Sequence, residues 1–178
     1  YCHNPALVVP ELVEERPDVA VGEVLDYLAR RNGWLDGVVV TGGEPTLHAG
    51  LPSFLREVKA LGYRVKLDTN GTNPVMLGRL IAEGLVDFVA MDVKHIPDTV
   101  HYGAVTPLSP AMMDNVLRSL GMLRCCGMEY ELRTTLLPGV HTPAVQEALR
   151  GMFADERYVF HAFREPGADG VVADYRQA

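Results

Sequence analysis

Cysteine is scarce in this chain: three residues in 178, two of them adjacent at positions 125 and 126. Three cannot build the disulfide framework of a small secreted scaffold, and their number suits a reducing compartment, so a cytoplasmic location is expected. No uninterrupted apolar run approaches the ~20 residues that cross a bilayer, so no membrane span is expected. The opening residues also lack the basic start and apolar block of a secretory signal. Positive charge is in short supply: 16 Lys and Arg stand against 23 Asp and Glu, a formal net charge of −7. That balance argues against broad nucleic-acid binding through phosphate neutralisation. The histidines at 48, 95, 101 and 141 have none of the spacings of metal ligands. Linkers, low-complexity tracts and composition shifts are missing too, so residues 1–178 are expected to form a single domain.

What the chain does have is regular alternation. Runs rich in β-branched residues at 37–41, 64–69, 88–94, 130–137 and 158–163 predict five strands. Amphipathic stretches at 19–32, 51–61, 74–83, 110–126 and 143–153 predict helices between them. Asn73-Pro74, Ser109-Pro110 and Thr142-Pro143 each put a capping side chain before a proline at the first helical position. Gly33, Gly62, Gly84 and Gly127 follow helical patterns, where a left-handed cap favours glycine. Alternating helix and strand implies an α/β fold of parallel strands with crossover helices. On pattern alone, a doubly wound sheet and a barrel both remain open.

The strand ends carry the chemistry. In parallel α/β folds, ligands gather at the carboxyl ends of the strands. Here those ends read Gly42-Gly43-Glu44, Asp68-Thr69-Asn70-Gly71, Asp92 with Lys94, Arg133 and His161. Period-two alternation puts Lys66, Asp68 and Asn70 on one face, Asp92 and Lys94 on one face, and Glu131, Arg133 and Thr135 on one face. Parallel strands between helices are normally apolar on both faces, so this pattern predicts a polar interior of paired charges. Plainer readings stand beside it. Asn70-Gly71 suits a turn, Asp92 and Lys94 can form a local ion pair, Arg133 can pair with Glu131, and His161 can be a core histidine. Cys125 and Cys126 read as buried structural cysteines, and the Met and Leu residues of 112–128 read as core.

Two runs are more specific. Tyr1-Cys2-His3-Asn4-Pro5, followed after one predicted helix by Val38-Val39-Val40-Thr41-Gly42-Gly43-Glu44-Pro45, resembles the radical S-adenosylmethionine (SAM) superfamily. Leu35-Asp36-Gly37-Val38 and Ala90-Met91-Asp92-Val93-Lys94 extend the likeness toward glycyl-radical-enzyme activases, in particular the activating proteins of anaerobic ribonucleoside-triphosphate reductase. The resemblance implies a partial (β/α)6 TIM-like barrel. Its first strand and two further cluster cysteines would precede Tyr1, making this an N-terminally truncated radical SAM core domain. It also implies that Cys2 is the third cysteine ligand of a [4Fe–4S] cluster. Gly42, Gly43 and Glu44 would meet the SAM ammonium, and Asp68 and Asn70 would make polar contacts to SAM. Asp92 would hold the ribose and Lys94 the methionine carboxylate, with Arg133 and His161 as further SAM-site residues. The implied reaction is reductive cleavage of SAM, giving a radical that abstracts hydrogen from a glycine of a partner glycyl radical enzyme. A flavodoxin- or ferredoxin-like protein would donate the electron. A radical SAM enzyme acting on a small molecule or RNA, or a cluster-less SAM-binding scaffold, are the alternatives.

Overall fold

The computed structural model describes residues 18–106 and 108–163. Five strands form one sheet: β1 (Gly37–Val40), β2 (Arg64–Thr69), β3 (Phe88–Asp92), β4 (Tyr130–Leu136) and β5 (Tyr158–Ala162). All neighbouring pairs are parallel and the order is sequential, β1-β2-β3-β4-β5. A doubly wound sheet reverses direction at a switch point. This one never does, so right-handed crossovers carry every connecting helix to the same face. The pattern left two architectures open, and strand order selects the partial TIM-like barrel.

The helices are α1 (Val21–Arg30), α2 (Leu51–Ala60), α3 (Pro74–Ala82), α4 (Thr99–Gly103), α5 (Pro110–Cys125) and α6 (Pro143–Met152). The capping signals act as read: side chains of Asn73, Ser109 and Thr142 accept hydrogen bonds from the backbone of Met76, Met112 and Val145. Each satisfies a donor that the first helical turn cannot pair. Two elements escaped the pattern, the five-residue α4 and the 3-10 turn Pro45–Leu47. Both are too short to show a helical period.

Alternation along each strand divides the molecule into two environments. Val65 and Leu67 on β2, Val89 and Met91 on β3, and Leu132 on β4 point outward and are almost wholly buried. They pack with Leu55, Val58, Leu77, Leu80, Val116, Leu120, Leu123 and Leu149 from the helices. Burying each such side chain contributes roughly 1.5–3 kcal/mol, so this layer fixes strand register. The opposite face carries Lys66, Asp68, Asp92, Glu131 and Arg133. At its amino end, the Lys66 ammonium and the Arg157 guanidinium lie 5.7 and 5.5 Å from the centre of the Phe88 ring.

Helix α5 corrects two sequence readings. Met113, Leu120 and Leu123 are core, but Met112 and Leu117 are exposed. Cys125 is exposed and Cys126 only half-buried. Two residues along a helix turn the chain through about 200°, so Cys125 faces away from buried Leu123.

Candidate functional site

The chain leaves β1 through two consecutive glycines with positive φ, Gly42 at 104° and Gly43 at 49°. Side chains with a Cβ avoid that region, which is why glycine stands at both places. Glu44 then caps the 3-10 turn. Its carboxylate is buried and takes four hydrogen bonds. Oε1 accepts from the Thr46 backbone (3.1 Å), the Thr46 hydroxyl (2.5 Å) and the Thr69 hydroxyl (2.7 Å), and Oε2 accepts from the Asn70 backbone (2.7 Å). The β1 turn is thereby fastened to the end of β2. Asn73 adds a second tie, its Nδ2 donating to the Thr46 carbonyl at 2.7 Å.

The β2 end is shaped by its own side chains. Asn70 Oδ1 accepts from the Thr72 backbone and hydroxyl, so Asn70 does form the turn that Asn-Gly suggested. From α5, the Ser119 hydroxyl donates to the Gly71 carbonyl (2.7 Å) and Asn115 Nδ2 to the Thr72 carbonyl (3.1 Å).

Charges cross the inner face in one connected chain. Arg133 Nη1 lies 3.1 Å from Asp68 Oδ2, and its Nε and Nη2 lie 3.1 and 3.0 Å from Asp92 Oδ1. Lys94 Nζ lies 2.8 Å from Asp92 Oδ2. Lys66 is 3.6 Å from Asp68 and 3.8 Å from Glu131, which pairs with Arg157 at 3.2 Å. Arg133 therefore joins Asp68 and Asp92 rather than Glu131. Burial pushes the Asp92 carboxyl upward, but Lys94 and Arg133 outweigh it and hold it below the usual carboxylate value. Burial opposes the Arg133 charge, and the two aspartates outweigh that, so its pKa is raised. Asp68 Oδ1 is buried without a hydrogen-bond partner among the described residues.

Beyond β3, buried side chains take over from the sheet. The Lys94 N–H donates to the Tyr102 hydroxyl at 3.0 Å, and the Lys94 carbonyl accepts from His141 Nε2 at 2.9 Å. The His95 ring lies 5.2 Å from that of His101 and 5.1 Å from that of His141. Among the described residues, no group of three or more His, Cys, Asp or Glu side chains could hold a metal ion. Cys2 lies outside the described residues.

The structure thus brings Glu44, Asp68, Asn70, Asp92, Lys94 and Arg133 to one end of the sheet, with Gly42 and Gly43 in the turn beside them. His161, paired in register with Thr135, is exposed and not a core histidine. Sequence reading missed Tyr102, Asn115, Ser119 and His141, whose partners are backbone atoms of Lys94, Thr72, Gly71, and of Leu137 and Lys94 in turn. None of the four stands in a local pattern that names its partner.

A parallel, singly wound α/β sheet with a charged inner face and a glycine turn after its first strand defines the class of protein. The family model for the radical SAM superfamily matches residues 1–150, and the chain belongs to that superfamily. Membership implies use of SAM and an iron–sulfur cluster. A provisionally named glycyl-radical enzyme activating enzyme of Methanocaldococcus jannaschii is 31% identical over 145 residues, covering 79% of this chain and 57% of that protein. The S-adenosyl-L-methionine-dependent tRNA 4-demethylwyosine synthase of Pyrococcus horikoshii is 25% identical over 171 residues, covering 88% of this chain and 50% of that protein. The chain spans about half the length of these curated relatives. A solved structure of TYW1 with a lysine-pyruvate adduct bound superposes with a TM-score of 0.61 at 17% identity, over 85% of this chain and 55% of that one. That likeness concerns the fold alone. No helix among the described residues is long and apolar enough to cross a membrane.

Proposed function

We propose that this protein is a radical SAM activase, which cleaves SAM reductively at a [4Fe–4S] cluster and generates a glycyl radical on a partner enzyme resembling anaerobic ribonucleotide reductase. The observation that carries this reading is the 31% identity with an activating enzyme across 79% of the chain. The donor set supports a SAM site. Asp68 Oδ1 is a buried acceptor with no hydrogen bond among the described residues, only the Lys66 ammonium 3.6 Å away, and the Asp92 and Lys94 pair offers one group to hydroxyls and the other to a carboxylate. In this reading Cys2 ligates the cluster and Gly42 and Gly43 present backbone carbonyls to the SAM ammonium. Glu44, its oxygens already engaged by four donors, holds that turn in place and adds negative charge behind it. Asp68 and Asn70 line the site, Asp92 meets the ribose, and Lys94 meets the methionine carboxylate. Arg133 pairs with both aspartates and bridges them across the site, and His161 stands at the far rim.

The bound cluster would supply the electron that breaks the SAM sulfur–carbon bond, and the protein's residues orient SAM and exclude water. A flavodoxin- or ferredoxin-like donor and a cytoplasmic location go with this reading. Its test is transfer of deuterium from a labelled glycine of the partner into 5′-deoxyadenosine by the full-length, cluster-loaded protein. Transfer supports the activase; productive SAM cleavage with RNA or a small metabolite and no protein partner refutes it. The second outcome has its own support in the 25% identity with the tRNA-modifying synthase.

A further inference from the structure

We infer that His141, together with Tyr102, is a positioning residue for Lys94, setting the direction of its ammonium. The inference rests on the reading of Lys94 as the carboxylate contact for SAM. The sheet stops supporting the chain just before Lys94. The Val93 N–H donates to the Arg133 carbonyl at 2.7 Å, and the Thr134 hydroxyl donates to the Val93 carbonyl. Lys94 then follows a strand that has ended, and a backbone beyond its ladder swings unless other groups hold it.

Two buried side chains do so, one at its N–H and one at its carbonyl. Tyr102, 1% exposed, accepts the Lys94 N–H, and His141, 5% exposed, donates to its carbonyl. The imidazole has no freedom in this role. Its Nδ1 accepts the Leu137 N–H at 2.8 Å, so the single ring proton sits on Nε2, facing Lys94. Leu137 immediately follows β4, so one neutral ring joins the ends of β3 and β4 through two backbone bonds. With both peptide groups of Lys94 fixed, its ammonium is aimed along the inner face, 2.8 Å from Asp92. A point charge contributes most when its place is set before the ligand arrives.

Asparagine and glutamine divide the two bonds. His141→Asn keeps an acceptor near the place of Nδ1 and loses the donor to Lys94. His141→Gln keeps a donor near the place of Nε2 and loses the acceptor. Tyr102→Phe removes only the hydroxyl and retains the ring packing. The experiment is equilibrium binding of SAM to the full-length protein, cluster-loaded under anaerobic conditions, for these three variants and Lys94→Met. Iron content and thermal midpoint are read alongside. Lys94→Met is expected to weaken SAM binding by about tenfold or more. His141→Asn and Tyr102→Phe are each expected to weaken it about three- to tenfold, with His141→Gln nearer wild type and iron content unchanged. Should His141→Asn fail to fold, Tyr102→Phe carries the test. Wild-type affinity in Tyr102→Phe and His141→Asn beside a weakened Lys94→Met overturns the positioning role and leaves the SAM site standing. Wild-type affinity in Lys94→Met overturns both. As an independent readout, ring ¹⁵N shifts of His141 should report the Nε2-protonated form at neutral pH, and an Nδ1-protonated form overturns the inference.

Discussion

Glu44 and Asn70 lie 26 residues apart, yet the Glu44 carboxylate accepts the Asn70 backbone N–H at 2.7 Å. The same carboxylate binds Thr46 and Thr69, so one buried side chain holds the β1 turn against the end of β2. Removing it strands four donors, three of them buried. Glu44→Ala is expected to lower the unfolding free energy by about 2–4 kcal/mol, and Glu44→Gln by less, because its carbonyl still accepts. Urea titration reads both. A loss of under about 0.5 kcal/mol in the alanine variant would mean that the clamp is dispensable.

Arg133 stands between two carboxylates, and its substitution tests whether their spacing depends on it. In Arg133→Met, Asp68 and Asp92 face one another without their shared cation. A destabilisation of about 3 kcal/mol is expected. Arg133→Lys should recover only part, since an ammonium cannot present the fork that spans both acids. Asp92, now held below its ordinary value by Lys94 and Arg133 against the opposing effect of burial, should titrate higher in the methionine variant. In the wild type this depressed pKa contributes stability that is complete above the ordinary 3.8 and lost as pH falls through the folded value. Carboxyl ¹³C titration checks the shift, and an unmoved Asp92 refutes the coupling.

His95 has the opposite chemistry and the same sign of linkage. Burial first, then its neighbours His141 and His101, push its pKa below the ordinary 6.5, while Asp98 opposes them. The unfolded chain therefore binds a proton more readily than the folded one. Stability from this site is complete above about pH 6.5 and declines as pH falls below it. His95→Asn retains an acceptor for the Ile96 N–H, which His95 Nδ1 takes at 2.7 Å, and removes the titration. Urea midpoints at pH 7.5 and 5.5 should differ less in that variant than in wild type. An equal drop in both proteins places the acid sensitivity elsewhere.

Local chemistry was legible in the sequence, and distant pairing was not. Asn73, Ser109 and Thr142 could be read as caps because a cap and its donors lie within three residues. Lys66 and Asp68 could be read as inward-facing because Val65 and Leu67 alternate with them. The partners of Arg133 are 65 and 41 residues away, and choosing Asp68 and Asp92 over Glu131 requires the register of three strands. His141 has no metal-ligand spacing in the sequence, and nothing local points to its partners, the Lys94 carbonyl and the Leu137 N–H. Cys125 is exposed although cysteine is usually buried, because residue type alone does not say which side of a helix end it occupies.

Gly71 links the backbone of the site to the core, and a double-mutant cycle can separate its two constraints. Its φ is 76°, and a Cβ there would stand 2.1 Å from Met91 Cε and 2.9 Å from Met91 Sδ. Alanine thus meets a left-handed backbone, costing about 1–2 kcal/mol, and a buried side chain that must move, costing about 1–3 kcal/mol. Only the second cost depends on Met91, whose thioether can swing but lies in a filled core. Gly71→Ala should therefore destabilise the wild type by about 3 kcal/mol, and by about half as much when Met91→Ala has already emptied the space. Equal costs in both backgrounds would assign the whole effect to the backbone. A cost near zero in the Met91→Ala background would assign it to packing, and would leave the β2 turn able to accept a side chain at position 71.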